Sequence, residues 1–300
     1  MHGSRNIAAM TLILIQFMIY LTFISRENET VTPWRFKHVP APLFHLGVLT
    51  SPKAPYFDRY VINSRGWHRD FSPHVSAFTS TEVDKKTAEG RGPASTIQLV
   101  NLLPGERDGW SSNLQFWGWK LMHDEGPRAK WYLQADDDTV VIRANLEKLV
   151  AKFNHSEPIM LGDCHSYVEP DFGQIAFAQG GAGVVMSQGL MRRLVPLFET
   201  CRMKYNNLHF SDARVHACIE FELGIGQPLV CDKGRFGFNG ARLGGEDDLN
   251  RHKDWDQIIS CHEKDPDALK KINKYIAEHQ VEREITFGDV RNLLKRNIQQ

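Results

Sequence analysis

The sequence predicts an α/β fold built on a mostly parallel sheet that helices cover on both faces. Short apolar runs with the composition of buried strands alternate along the chain with stretches whose apolar residues recur at helical intervals. That alternation is typical of strand–helix–strand units, whose crossover helices pack on both faces of a parallel sheet. The length of 300 residues and the hydrophobic content of 42% suit one medium-sized domain rather than a disordered chain.

The first element is an apolar run near the N-terminus. Residues 7–24 contain no charged residue, and a helix of that length, at about 1.5 Å per residue, almost crosses a hydrocarbon layer of roughly 30 Å. A cleavable signal peptide is the alternative, but its apolar region would be shorter and would end in small residues. We therefore expect a single transmembrane helix, with residues 1–6 in the cytosol and the rest of the chain in the lumen of the Golgi or the ER.

The remaining chain divides into a stalk, a globular domain and a helical tail. Residues 25–42 are polar and punctuated by proline, as in a short stalk, and residues 265–300 contain two amphipathic patterns typical of packing helices. The domain between them is expected over residues 43–264, with residues 80–109 as a loop around a short central segment. The predicted strands comprise residues 45–50, 75–79, 131–135 and 175–178. The predicted helices comprise residues 57–67, 110–123 and 143–153, with two more that begin after residues 187 and 210.

The balance of charges argues against a nucleic-acid-binding protein, and the cysteines argue against a zinc protein. Lysine plus arginine equals aspartate plus glutamate at 36 each, so no net field would attract nucleic acid. The five cysteines lack the C-x-x-C spacing of zinc sites, which favours disulfides in an oxidising compartment, although the sequence leaves their connectivity open. Of two glycosylation sequons, at Asn28 and Asn154, the second lies farther from the predicted anchor and is the better acceptor.

Three consecutive aspartates, Asp136, Asp137 and Asp138, end the predicted strand at residues 131–135. Carboxylates this close repel one another unless a cation or several donors neutralise them, and ligands settle at the carboxyl ends of parallel strands. Mg²⁺ and Mn²⁺ prefer such oxygen ligands and often complete their coordination with substrate phosphates. A solvated acidic turn or a helix N-cap at Asp138 explains the triplet about equally well, so both interpretations stay open.

Three further features are candidates with ordinary structural alternatives. Gly180, Gly181, Ala182 and Gly183 would let the backbone approach a sugar or phosphate closely, or would simply form a tight turn. Asp212 begins a predicted helix, where aspartate serves equally as a cap or as a catalytic base. His262 closes a short apolar run, and spacing alone favours a structural or solvated histidine.

Together, residues 131–138, 180–183 and 211–218 resemble the fringe-like β-1,3-glycosyltransferase superfamily, which includes core-1 galactosyltransferase. Their order and spacing match a W-Y-x-x-A-D-D-D strand, a G-G-A-G loop and an acidic Ser-Asp before an amphipathic helix. The resemblance covers roughly residues 46–262, and residues 201–238 are most similar to the plant and fungal fringe-like branch. It implies a Rossmann-like nucleotide-sugar fold of the GT-A type and transfer with inversion.

The resemblance also implies roles for individual residues. Asp136, Asp138 and His262 would bind Mn²⁺ or Mg²⁺, and Asp212 would be the catalytic base. The UDP-sugar donor would contact Thr50, Asp136, Asp137, Gly180, Gly181, Ala182 and Gly183. The sequence departs from the family where a histidine should follow the last core strand, because none comes soon after residue 238. His262 instead matches a later Ser-x-His pattern, and Cys201 and Cys218 match a paired position that predicts a disulfide.

These features lead to one functional hypothesis and one alternative. The hypothesis is a metal-dependent inverting glycosyltransferase that moves a hexose or N-acetylhexosamine from a UDP-sugar to a hydroxyl of a glycan or glycoprotein, in a β-1,3 linkage. The alternative is a catalytically silent relative that acts as a lumenal chaperone or binding protein. Silent relatives tend to lose the acidic motif that this chain keeps, which favours the enzyme. The sequence identifies neither the sugar nor the acceptor.

Overall fold

The computed structural model describes residues 41–51, 53–79, 97–99, 114–126, 128–225, 229–232, 235–237, 255–279, 285–289 and 292. The predicted cytosolic tail and membrane anchor, nearly all of the stalk, and most of the second predicted C-terminal helix lie outside these ranges. Within them, no helix combines the length and the apolar character that a membrane span requires.

A seven-stranded sheet forms the centre of the domain, in the order β10-β6-β9-β4-β1-β2-β3. Its strands are β1 (Phe44–Leu49), β2 (Val75–Thr79), β3 (Ile97–Leu99), β4 (Trp131–Asp136), β6 (Met160–Gly162), β9 (Val184–Ser187) and β10 (Leu229–Cys231). Strands β1, β2, β3 and β4 pair in parallel, as do β6 and β10, whereas β9 is antiparallel to both β4 and β6. The predicted mostly parallel sheet is therefore confirmed.

The other described strands form two smaller sheets. The hairpin of β7 (Cys164–Glu169) and β8 (Gly173–Ala178) forms one of them. The other has the order β11-β12-β5, with β5 (Thr139–Val141), β11 (Phe236–Gly237) and β12 (Ser260–His262). Strand β5 starts three residues after β4 ends, so the second sheet is attached directly to the aspartate turn.

Seven α-helices have both ends within the described ranges, and residues 287–289 are helical as well. The seven are α1 (Tyr56–Ser64), α2 (Leu114–Glu125), α3 (Arg143–Val150), α4 (Gln188–Leu194), α5 (Phe198–Lys204), α6 (Ser211–Ala217) and α7 (Pro266–His279). Successive side chains of a strand point to opposite faces, so Leu133 joins an apolar cluster on one face of the sheet and Tyr132 joins a cluster on the other. Both faces are buried, which explains why β4 reads as a continuous apolar run. Helix α7 packs against α1, and its Leu269, Ile272 and Ile276 are buried in the apolar cluster that contains Leu133.

The order of elements after the glycine loop differs from the sequence-based expectation. The strand β9 occupies residues 184–187, to which no element was assigned from the sequence, and helix α4 then begins after residue 187 as predicted. Its Val184 and Val185 are β-branched and buried, and the strand follows a short 3₁₀ turn at Gly180–Ala182. It pairs antiparallel with β4 on one side and with β6 on the other. This pairing brings the glycine loop next to the end of β4.

Two disulfides resolve the connectivity that the sequence left open. Cys201 and Cys218 are bonded, which confirms the pairing implied by the family resemblance and ties α5 to the end of α6. Cys164 and Cys231 form the second bond and join the β7–β8 hairpin to the edge strand β10. Cys261 is buried in β12 and unbonded, and burial raises the pKa of its thiol well above the usual value.

A buried histidine makes one contribution to stability pH-dependent. His68 is fully buried, and burial lowers its pKa from 6.5 to about 3. As the pH falls below 6.5, the unfolded chain takes up a proton at His68 that the folded chain excludes, so this contribution is present above that pH and is lost on acidification.

We compare the free energy of unfolding of His68→Phe with that of the unsubstituted protein at about pH 7.5 and at about pH 5. The difference between the two proteins should shift by about 2 kcal/mol in favour of His68→Phe at the lower pH, because each pH unit below the unfolded pKa contributes about 1.4 kcal/mol. Urea unfolding of both proteins at the two pH values measures this gap. A gap that does not change with pH would contradict a neutral, buried His68.

Candidate functional site

The candidate site lies at the carboxyl edge of the parallel strands. Strand β4 ends in Asp136, the turn contains Asp137 and Asp138, and the parallel register pairs Leu49 with Asp136, so the end of β1 lies alongside. Strand β12 runs antiparallel to β5 with His262 opposite Thr139. That register brings a residue more than a hundred positions later to the aspartate turn.

Asp136, Asp138 and His262 form a compact set of ligand atoms. One ligand atom from each lies within 4.8 Å of the others, and His262 Nε2 is 2.6 Å from Asp138 Oδ1. Two carboxylates and an imidazole are donors that Mn²⁺ and Mg²⁺ accept, with Mn²⁺ the more tolerant of the nitrogen ligand. The residues therefore fit a divalent cation.

The electrostatics of the aspartates indicate the same need for positive charge. Burial, and then the neighbouring Asp138, raise the pKa of Asp136 to about 7. The pKa of Asp137 is raised well above its usual value by burial, then by Asp138 and Asp136, while the Thr50 hydroxyl opposes the rise. A bound cation would oppose both shifts, because it favours the ionised forms of Asp136 and Asp137.

The two structural alternatives for the triplet do not match the fold. Asp137 and Asp138 are 3% and 6% exposed, so the turn is not a solvated acidic loop. Asp138 precedes the strand β5 rather than a helix, and the residue that precedes α3 is Ile142, so Asp138 is not an N-cap. The burial of these carboxyls requires a partner, because an isolated buried charge is costly.

One such partner is Arg59, which the sequence did not identify. Its Nη1 donates to Asp138 Oδ2 at 3.1 Å, and its Nε donates to the backbone oxygen of Lys264 at 3.1 Å. Arg59 therefore links α1 to both the aspartate turn and the segment that follows His262. No local motif distinguishes this arginine from others in the chain, because its partners are distant in sequence.

The glycine loop meets Asp212 directly. The backbone N–H of Gly180 donates to Asp212 Oδ2 at 2.9 Å, and Gln115 Nε2 donates to Asp212 Oδ1. A Cβ on Gly180 would lie 2.5 Å from Gln115 Nε2 and 3.1 Å from Asp212 Oδ1, so a side chain at position 180 would have to displace the Gln115 amide from Asp212. Gly183 ends the loop with φ of 81°, a conformation that favours glycine.

Asp212 does not cap its helix. Helix α6 begins at Ser211, the preceding Phe210 has no capping side chain, and the Asp212 carboxylate turns instead to Gly180 and Gln115. Burial raises the pKa of Asp212, and the hydrogen bonds from Gly180 and Gln115 oppose that rise. Asp212 also raises the pKa of Asp136 by repulsion, which places the two carboxylates within electrostatic range.

Hydrogen bonds connect the aspartate turn to the glycine loop. Thr139 Oγ1 accepts from the backbone N–H of Asp136 at 3.2 Å and donates to the oxygen of Gly181 at 3.0 Å. Ser260 Oγ donates to the oxygen of Ala182, so β12 holds the loop from its other side. The predicted aspartates, the glycine loop and His262 therefore lie together. Thr50, which was also predicted, follows the end of β1 beside the aspartate turn. Arg59 and Gln115, which were not predicted, border the same residues.

Comparison with known proteins matches residues 111–229 to the Fringe-like family model. Mouse chondroitin sulfate synthase 3 is 28% identical over 189 residues, which are 60% of this chain and 21% of that protein. Mouse beta-1,3-glucosyltransferase is 29% identical over 111 residues, 37% of this chain and 21% of that protein. Glycoprotein-N-acetylgalactosamine 3-beta-galactosyltransferase 1 of Xenopus laevis is 31% identical over 91 residues, 30% of this chain and 24% of that protein.

Among solved structures, the galactosyltransferase LgtC superposes with a TM-score of 0.42 at 12% identity, covering 83% of this chain and 95% of its own. A TM-score this low supports no conclusion about fold or function. The chain spans only about a fifth to a quarter of the curated relatives it matches. Within that span, residues 111–229 of this chain are Fringe-like in sequence, and the relatives that share this region are glycosyltransferases.

Proposed function

We propose that this chain is a metal-dependent glycosyltransferase of the GT-A type, which transfers a hexose or an N-acetylhexosamine from a UDP-sugar to an acceptor hydroxyl with inversion. The convergence of Asp136, Asp138 and His262 within 4.8 Å, at the carboxyl edge of the parallel strands, is the observation on which the proposal rests. The Fringe-like match and the glycosyltransferase relatives support the same reaction class.

The metal-binding residues would be Asp136, Asp138 and His262, and the ion would be Mn²⁺ or Mg²⁺. When bound, such an ion would neutralise charge on the diphosphate of the donor and stabilise its departure. Arg59 pairs with Asp138, so its guanidinium would add positive charge beside the expected diphosphate. Thr50, Asp137 and the loop at residues 180–183 would contact the donor.

Asp212 would be the general base. It would take the proton of the acceptor hydroxyl as that oxygen forms a bond to the anomeric carbon. At the same time the bond from that carbon to the diphosphate oxygen would break, and its electron pair would leave with UDP. The hydrogen bonds from Gly180 and Gln115 orient the Asp212 carboxylate for this transfer, and its burial makes it more basic than a solvated aspartate.

We further propose that the acceptor is a glycan or glycoprotein in the lumen of the Golgi or the ER, and that the linkage is β-1,3. Two disulfides agree with an oxidising compartment. The sequon residue Asn154 is exposed, as a glycosylation site must be. The names of two relatives specify 3-linked transfer of glucose or galactose, which is said of those proteins and supports the linkage here by analogy.

Binding of UDP in the presence and absence of metal tests this proposal. We expect calorimetry on the full chain to detect UDP binding with Mn²⁺ or Mg²⁺ and none in excess EDTA, because the unneutralised aspartates repel the diphosphate. Uridine, which lacks the diphosphate, is the matched ligand control and should show no dependence on metal. Equal affinity for UDP with EDTA and with Mn²⁺ would contradict the proposed site.

A further inference from the structure

A buried asparagine holds the backbone of the aspartate turn. Asn63, on helix α1, is fully buried, and its Nδ2 donates to the oxygen of Asp137 at 2.7 Å and to the oxygen of Thr139 at 3.3 Å. The carbonyl of Asp138, between them, accepts from the backbone N–H of Glu263 at 2.7 Å. All three successive carbonyls of the turn are therefore held, two of them by one side chain.

A second buried asparagine determines how the first is oriented. Asn273 of helix α7 donates from Nδ2 to Asn63 Oδ1 at 2.7 Å and to the oxygen of Leu269 at 2.8 Å, and its Oδ1 accepts from the backbone N–H of Trp67 at 3.0 Å. The Trp67 donor makes the other end of the Asn273 amide the donor toward Asn63. Asn63 must then present its own Nδ2 to the turn.

The Asn273 side chain is closely packed against the backbone of the turn that follows α1. A Cβ on Gly66 would lie 1.7 Å from Asn273 Oδ1, so the chain comes as close to Asn273 as a glycine allows. Asn63 and Asn273 are 210 positions apart. Helix α7 also lies outside the Fringe-like match, which ends at residue 229.

We propose that Asn273 and Asn63 are positioning residues for the metal-binding aspartates, so that the C-terminal helix α7 is part of the candidate site. The inference rests on the proposed function and extends it to a helix with no residue in the cation site. Asn63 holds the carbonyls on both sides of Asp138, which directs the Asp138 carboxylate toward Arg59 and His262. Without the Asn273 donor, the Asn63 amide can rotate, and the Asp138 carboxylate is then no longer held toward Arg59 and His262.

The apolar contacts of α7 do not explain the asparagine pair. Helix α7 already contacts α1 and has Leu269, Ile272 and Ile276 in the apolar cluster. An apolar pair at positions 63 and 273 would avoid the desolvation of two amides. Buried amides are efficient only when every donor and acceptor is matched, as here. We therefore infer that the asparagine pair orients the aspartate turn and is not needed to hold helix α7 in place.

The test compares Mn²⁺ binding with stability in Asn273→Leu, which keeps the approximate size of the side chain and removes its donor. We expect Asn273→Leu to weaken Mn²⁺ binding in the presence of UDP by about 10- to 100-fold, the usual effect of losing an outer-shell partner, as measured by electron paramagnetic resonance on the full chain. Ile272→Val on the same helix is the matched control. It should lower the unfolding midpoint and leave Mn²⁺ affinity unchanged.

We call the chain of hydrogen bonds from Asn273 through Asn63 to the aspartate turn the asparagine relay. A double-mutant cycle distinguishes an effect of this relay from a general loss of stability. Asn63→Leu should weaken Mn²⁺ binding at least as much, and adding Asn273→Leu to it should have little further effect, because Asn273 acts through Asn63. If Asn273→Leu does not fold, Asn273→Ser, which is too short to reach Asn63, replaces it in the same cycle. Unchanged Mn²⁺ affinity in a folded Asn273 variant would overturn the relay, whereas no Mn²⁺ binding by the unsubstituted protein would overturn the proposed function itself.

Discussion

Replacing Asp212 by asparagine is expected to lower glycosyl transfer by roughly 10²- to 10⁴-fold, the loss that accompanies removal of a general base. An amide cannot take the proton of the attacking hydroxyl. The asparagine oxygen can still accept from the backbone N–H of Gly180, and its Nδ2 can be accommodated by rotation of the Gln115 amide, whose oxygen then accepts. The fold and the binding of UDP with metal should therefore be retained.

Turnover and UDP affinity must be measured on the same protein for this expectation to be decisive. Asp124→Asn, on the exposed end of α2, is a matched control that removes one carboxylate away from the site. Normal transfer by Asp212→Asn would exclude Asp212 from the mechanism. A parallel loss of UDP–metal binding would instead indicate that Asp212 supports the site structurally, through the glycine loop.

Replacing Asp136 and Asp138 together by alanine is expected to abolish the metal dependence of UDP binding. The double variant keeps only His262 of the three candidate ligands, and a single imidazole does not hold Mn²⁺ or Mg²⁺ against water. Two effects on stability oppose each other. The repulsion among the carboxyls is relieved, but Arg59, whose side chain is 11% exposed, loses its carboxylate partner and keeps the backbone oxygen of Lys264.

Calorimetry of UDP with Mn²⁺ and with EDTA, together with thermal unfolding, measures both consequences. Asp124→Ala with Asp267→Ala removes the same amount of charge from exposed helix positions and should bind UDP as the unsubstituted protein does. The pair Asp136→Asn and Asp138→Asn, which keeps an acceptor for Arg59, serves if the alanine variant unfolds. Metal-dependent UDP binding that persists in either variant would move the cation site away from the aspartate turn.

The asparagine relay and the Arg59 ion pair have a common origin. Asn63 and Arg59 are one helical turn apart on α1, and both contact the aspartate turn from the same side. Helix α1 follows β1, which lies beside β4 in the sheet, so a parallel β–α unit brings this helix against the end of the neighbouring strand. Part of the candidate site is therefore built by the crossover helix rather than by the strand ends alone.

Local patterns in the sequence were sufficient for the elements whose neighbours are near in the chain. The apolar runs at β1, β2 and β4 and the helical spacing of α1 and α3 were predicted to within a few residues, because periodicity reflects burial on one or both faces. Helix α7 corresponds to the first of the two amphipathic patterns predicted for residues 265–300. The position of the aspartate triplet followed from the same argument, since it ends a strand. The family resemblance, rather than spacing, led to His262 and to the Cys201–Cys218 disulfide.

Only the tertiary structure decided what completes the site. Arg59 meets Asp138, Gln115 meets Asp212 and Asn273 meets Asn63 across 79, 97 and 210 positions of sequence, and nothing in a local pattern marks these side chains among other surface or core candidates. Strand β9 was missed for a related reason, because its place between β4 and β6 depends on the turn at the glycine loop. Periodicity records whether a residue is buried, whereas hydrogen-bond and ion-pair partners are chosen by how the chain folds back on itself.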